Sequence, residues 1–238
     1  MKILAIDSSG QVASVAVVTE DAVLGSYSVN YKKTHSQTLL PMVEEVMKMT
    51  ETEGADFDAI AVTNGPGSYT GLRIGSSTAK GLAMVWNKPV VPVPTVDALA
   101  ANLAGRAGII CPIMDARRGQ VYTGLYRFDG NRLVTVKPQV CTLLSDVIDE
   151  MNAIGETVTF LGDGVPVHKN TIAELAEVQY TFAPMHLSMQ NAAALGWLAT
   201  EYFREGRTVT AAELVPEYLR QSQAEREREE RLEHHTVM

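Results

Sequence analysis

The sequence predicts an α/β fold in which one supersecondary unit is built twice. Three observations carry this. An apolar strand ending in aspartate, Ile3-Leu4-Ala5-Ile6-Asp7, is followed by Gly10-Gln11-Val12, and the same order returns in the run 109–115 with Gly119-Gln120-Val121. Each copy leads into alternating stretches that read as a meander and then into helical periodicity. Within the first copy, Asn64-Gly65-Pro66-Gly67-Ser68-Tyr69-Thr70-Gly71 joins a compact apolar run to a long helix-forming segment, the strand, loop, helix order of an α/β protein.

Taken in order, 2–6 is a buried strand, and 13–19 and 22–30 are the next two, turning at Glu20-Asp21. Residues 34–49 form a helix, with Leu39, Val43 and Val46 on one stripe and Leu40 and Met47 widening it. A strand over 59–62 enters the central loop, where Gly65 and Gly67 permit positive φ and Pro66 fixes the turn. Thr70 is the expected N-cap of a helix over 71–86. Gly71, Gly75 and Ala79 recur every four residues, so one stripe carries almost no side chain and another backbone can approach it. Glycine inside a helix costs about 1 kcal/mol relative to alanine, and close packing is expected to offset that. A strand over 90–93 and a helix over 95–103 complete the first unit.

The second unit repeats with strands at 109–115, 122–128 and 132–137, a helix at 143–151 and a strand at 158–162. It then shrinks. Residues 172–176 make a turn or two of helix, and 188–204 is the last substantial helix, with Ala192, Leu195, Leu198, Ala199 and Tyr202 toward the core. An apolar tail over 214–220 returns across the sheet, and 225–231 is a solvated charge run. The expected domains are 1–105 and 106–220, the last helix and tail packing back on the first, followed by a charged tail over 221–238.

With 238 residues and 46% apolar composition, the chain can bury a substantial core. A net charge of −8 argues against a broad, self-sufficient nucleic-acid surface. Cys111 and Cys141 are too few for a disulfide framework and lack metal-ligand spacing, as expected in a reducing cytosol. No signal peptide and no apolar run of membrane-spanning length is visible, so a cytoplasmic protein with no membrane association is expected.

The glycine loop before a helix N-terminus favours an anion, but its spacing fits neither phosphate-binding fingerprint, and a plain tight turn is the other reading. Asp7 and Asp115 end equivalent strands. Across a cleft between two halves they could hold a metal-nucleotide from both sides, or each could cap its own turn. His35 lies four residues before Leu39, where a second histidine would make a metal pair, and the remaining histidines have no paired spacing. No nucleophile elbow is present, which argues against peptidase chemistry. Arg117 and Arg118 follow Asp115, either solvated or facing an anion or RNA phosphate.

The apolar face of the first helix, including Met42 and Met49, covers more than half its circumference. Beside it stand the small-residue stripe and Leu82. Surplus apolar surface next to such a stripe fits the docking of a partner's helices, and methionines repack easily there. Burial by the chain's own second half is the other outcome.

Ile3-Leu4-Ala5-Ile6-Asp7, His35-Ser36-Gln37-Thr38-Leu39-Leu40-Pro41, the run 64–75 and Pro216-Glu217-Tyr218-Leu219-Arg220 together resemble the TsaB (YeaZ) family, partner subunits in tRNA threonylcarbamoyladenosine (t6A) synthesis. The resemblance spans 1–220. It implies a duplicated actin-like (ASKHA, RNase H-like) ATPase fold with a shortened second half. It also implies a non-catalytic paralogue of TsaD, the subunit that binds ATP and metal and transfers threonylcarbamoyl to the N6 of the adenosine beside the anticodon. TsaD-type subunits carry two metal-ligand histidines four residues apart on the helix matching 34–49. Leu39 replaces the second here, so no metal, cofactor or catalytic residue is expected.

The implied interface comprises His35, Leu39, Leu40, Val43, Val46 and Met47 from the first helix, and Gly71, Ile74, Gly75, Thr78, Ala79 and Leu82 from the second. It would pair with TsaD, or with a second copy as a homodimer when TsaD is absent. TsaE, a small P-loop ATPase, would join, and tRNA would be met only through the complex. On this reading a large charged residue at Gly75 or Val43 abolishes pairing and leaves the fold intact. The alternative is an actin-fold ATPase or kinase with Asp7 and Asp115 around Mg-ATP.

Overall fold

Each aspartate-ended strand lies at the centre of its own five-stranded sheet in the computed structural model, which describes residues 1–31 and 34–220. The charged run and tail over 221–238 lie outside the described residues. β1 (Lys2–Asp7) pairs antiparallel with β2 (Ala13–Thr19) and parallel with β4 (Ala59–Thr63), while β3 (Val23–Val29) and β5 (Val90–Val93) form the edges. β6 (Ile109–Asp115) takes the same place in the second sheet, antiparallel to β7 (Gln120–Asp129) and parallel to β9 (Val158–Leu161). β8 (Arg132–Leu143) and β10 (Tyr180–Phe182) lie outermost there. One strand topology is thus written twice, as the repeated sequence grammar predicts.

α1 (His35–Met49) and α2 (Tyr69–Trp86) cover one face of the first sheet, and α4 (Leu144–Ile154) and α5 (Gly164–Leu175) the matching face of the second. Strand alternation sorts the core: Leu4 and Ile6 face α1 and α2, whereas Ile3 and Ala5 face the opposite layer. That layer holds α3 (Thr95–Ala101) and α6 (Ala192–Arg204), which exchange sheets. α6 returns onto β1, β2 and β4, and α3 crosses to β6, β7 and β8, a crossing that periodicity alone does not predict.

Where α3, α6 and β7 meet, Asp97 accepts hydrogen bonds from the Tyr126 hydroxyl at 2.6 Å and the Tyr202 hydroxyl at 2.7 Å. Burial raises the Asp97 carboxyl above its ordinary value of 3.8, and the two tyrosine hydroxyls pull it partly back. A carboxyl that holds its proton more tightly folded than unfolded loses stability for the fold as pH rises from 3.8 through the raised value. Asp97→Asn is therefore expected to cost a hydrogen bond at every pH but to flatten that decline, as read by urea denaturation across the acid range.

Four local readings change. Ser68, with non-helical backbone, accepts from the Gly71 amide at 3.3 Å, so it caps α2 in place of Thr70, which already lies inside the helix. Ser68→Ala is expected to cost about 1 kcal/mol of stability in chemical denaturation. Gly65 is at φ +114°, as expected, but Gly67 is needed for another reason: a Cβ there would lie 2.4 Å from the Ser9 carbonyl oxygen. α5 has 12 residues, far more than the turn expected over 172–176, because Pro166 sits in its first turn, where a missing N–H breaks no helical bond. The tail does not cross the sheet face. Val209 pairs with Val90 at the β5 edge, Leu214 enters the core, and the chain then passes over the cleft between the halves.

Candidate functional site

The undersides of α1 and α2 are seated on this chain's own first sheet. Leu39, Val43 and Val46 on α1, and Gly71, Gly75 and Ala79 on α2, are all buried there. The glycine stripe is consumed by the turn after β1. A Cβ on Gly71 would lie 2.1 Å from the Ser8 carbonyl oxygen, and one on Gly75 2.5 Å from Ser8 Oγ, which itself donates to the Gly71 carbonyl at 2.9 Å. These six residues are thus packed by this chain's own sheet and by the Ser8 turn. A charge at Gly75 or Val43 would break the fold before it broke a contact.

What stays open is the seam between the two helices. Met47, Ile74 and Leu82 join the same hydrophobic cluster from both sides yet remain only partly buried. Leu40 on α1 is 46% exposed, Thr78 is half-buried, and Val85 extends the α2 flank at 81% exposed. Leu40 and Met47 lie seven residues apart, and Ile74, Thr78, Leu82 and Val85 recur at helical spacing, so each set forms one flank. His35 is half-buried. Its Nε2 lies 2.8 Å from the Gly10 carbonyl oxygen, tying the start of α1 to the loop after β1.

The second feature is a cleft of about 510 Å³ between the halves. Ser9, Gly67 and Tyr69 line it from the first half and Asp115, Arg117 and Asp163 from the second. Asp115 reaches it; Asp7 does not. Asp7 is 1% exposed, and its Oδ1 accepts from the Ser9 amide at 2.9 Å, Ser9 Oγ at 2.7 Å and Thr63 Oγ1 at 3.0 Å. Burial raises its pKa, and these donors, with the charge of His35, oppose the rise. Asp115 repeats the turn in the second half, its Oδ1 accepting from the Arg117 amide at 2.9 Å, with His168 Nε2 at 3.8 Å. Both aspartates cap their own turns, and of the two Asp115 alone lines the cleft. Among the described residues no three His, Cys, Asp or Glu side chains group as a metal ion requires.

Sequence reasoning missed Asp163, whose pKa burial raises, with backbone amides including that of Asp115 opposing the rise and the Asp115 charge adding to it. The signal was the likeness of Asp163-Gly164 to Asn64-Gly65. Val85, three residues beyond Leu82 on the same flank, is a further exposed apolar side chain that the sequence reading does not include. Among the described residues no helix is long and apolar enough to cross a membrane.

Residues 23–228 match the family model described as TsaD, tRNA N6-adenosine threonylcarbamoyltransferase. The chain is 36% identical to the tRNA threonylcarbamoyladenosine biosynthesis protein TsaB of Bacillus subtilis, covering 94% of this chain and 96% of that protein. It is 30% identical to the protein of the same name in Escherichia coli, with coverage of 94% and 96%. A Pseudomonas aeruginosa crystal structure, described as an uncharacterized protein with similarity to peptidase YEAZ, superposes with a TM-score of 0.79 at 27% identity, over 92% of this chain and 99% of that one. The duplicated α/β fold expected from the sequence is thus the one observed, and the Pseudomonas aeruginosa structure shares it.

Proposed function

The chain belongs to the TsaB family of tRNA threonylcarbamoyladenosine biosynthesis proteins, and from that premise we propose that it is a non-catalytic scaffold for threonylcarbamoyl transfer to tRNA. In this reading it docks and activates a TsaD-like catalytic subunit along α1 and α2. The observation that carries it is the open seam of Leu40, Met47, Ile74, Thr78, Leu82 and Val85, apolar surface left uncovered on two helices whose undersides are already fully seated. The six buried residues beneath shape this surface, and His35 fixes where α1 begins.

A subunit without chemistry of its own is supported by the way Asp7 is spent on its own turn, so that of the two strand-end aspartates Asp115 alone lines the cleft. A TsaE-like P-loop ATPase joins the complex, tRNA is met through it, and the setting is the cytoplasm. Without the TsaD-like subunit the same seam pairs two copies of this chain as a homodimer.

Reconstitution tests the reading. The TsaD-like and TsaE-like subunits, given tRNA and an activated threonylcarbamoyl donor, are expected to modify tRNA at background rate without this chain and at full rate with it. Equal rates would contradict the scaffold. Titration of the isolated chain with Mg-ATP, read by calorimetry, is expected to show no binding at micromolar nucleotide. Tight binding lost in Asp115→Ala would favour a kinase or ATPase instead.

A further inference from the structure

Besides the apolar packing of α3 on the second sheet and of α6 on the first, polar contacts join the two halves at several places, and two of these each tie three or more elements together. One is the Asp97 cluster, in which an α3 carboxylate receives a hydroxyl from β7 and another from α6. The other is the segment 214–220, whose contacts alternate between halves. Leu214 is anchored in the first half's core, and the Glu217 amide donates to the Asn64 carbonyl at 2.7 Å. The Glu217 carboxylate then accepts from Gln139 Nε2 on β8 at 2.9 Å. The Tyr218 ring packs on Tyr69, the first residue of α2, at 5.1 Å, and the Arg220 guanidinium donates to the Ala116 carbonyl in the turn after β6.

That turn is a poor resting place for a backbone. Arg117 and Arg118 sit at φ 63° and 57°, the left-handed region that disfavours side chains with a Cβ. Ala116, which precedes them, is buried, and its amide bonds back to the Gln120 carbonyl. Strain of this kind persists only where surrounding contacts hold it. The Arg220 bond to Ala116 is one such contact, reaching in from the other side of the cleft.

We infer that residues 214–220 are a clasp that spans the cleft and sets the angle between the two halves, with the α3 packing around Asp97 as the point about which they turn. The clasp is suited to release. Glu217 and Tyr218 are exposed, and the segment beyond Leu214 has no core residue of its own, so its bonds are exchanged readily for water. The inference does not depend on the docking of any partner.

Spin labels at Ser77→Cys on α2 and Lys169→Cys on α5, in a Cys141→Ser background, measure the distance between halves in the full chain. Cys111 is fully buried and stays unlabelled. The parent is expected to give one narrow distance distribution. Tyr218→Ala with Arg220→Ala is expected to broaden it and shift it to longer distances, and to raise exchange of the Glu217 amide by about tenfold or more. Gln139→Ala, which cuts the clasp from the other half, is expected to act in the same direction. An unchanged distribution in both variants overturns the inference, and so does faster Glu217 exchange without any change in distance, since the segment would then detach without setting the angle.

Discussion

Replacing Gly71 by alanine is expected to destabilise the protein by about 3 kcal/mol or more, whereas the same change at Gly81 in the same helix is expected to stabilise it by about 1 kcal/mol. Alanine ordinarily improves a helix, so the opposite signs isolate the packing term. A Cβ on Gly71 would meet the Ser8 carbonyl oxygen at 2.1 Å, and a backbone atom cannot swing aside as a side chain can. Ser8 is also held by its own hydroxyl bond to Gly71 and by the Asp7 turn beside it. The helix would have to lift off β1, loosening Leu72 and Ala79 behind it. Nothing lies within 4 Å of a Cβ on Gly81. In a domain of this size, a loss of about 3 kcal/mol lowers the melting temperature by roughly 6–12 °C. If Gly71→Ala melts with the parent, α2 is not seated as described.

Leu40→Glu combined with Thr78→Arg is expected to weaken pairing with the TsaD-like subunit by about 100-fold or more while leaving the unfolding free energy within about 1 kcal/mol of the parent. Both positions reach solvent across the seam, Leu40 directly and Thr78 past its hydroxyl bond to the Ile74 carbonyl at 2.9 Å. Each charge would stay hydrated in the free chain and be stripped of water in the complex, a cost that falls on binding alone. Val43→Glu is the useful contrast. Its charge has no route to water even in the free chain, so it is expected to unfold the protein and lose pairing only as a consequence. Sizing of the isolated chain should report the Leu40/Thr78 effect too, as loss of self-association. Retained binding in the double variant would remove α1 and α2 from the interface.

The strands and long helices were legible because period-two and period-3.6 patterns survive translation into structure when one face is buried, as in Leu39, Val43 and Val46. The small-residue stripe was legible as a site of close approach. Its occupant was not, because Gly71 and Gly75 specify that something comes near without saying whether it is another chain or Ser8, 63 positions earlier than Gly71. The same ambiguity affected the paired aspartates. An aspartate ending a strand reads alike whether it opens onto a cleft, as Asp115 does, or is closed off by Ser9 and Thr63, as Asp7 is. α5 was hidden by a proline that its first turn tolerates, and the tail's path by contacts such as Glu217 to Asn64 that no periodicity encodes. Surplus apolar width on α1 does not separate the flank that stays open, with Leu40 and Met47, from the stripe that is covered, with Leu39, Val43 and Val46.

The most direct test of the scaffold reading is hydrogen exchange across the whole chain, measured with and without the TsaD-like subunit at saturating concentration. The account predicts that protection rises in α1 and α2 around Leu40, Met47, Ile74, Thr78 and Leu82, with the β3 edge and the α4–α5 face unchanged. Protection confined to the cleft around Asp115 and Asp163, with α1 and α2 exchanging as in the free chain, would contradict it.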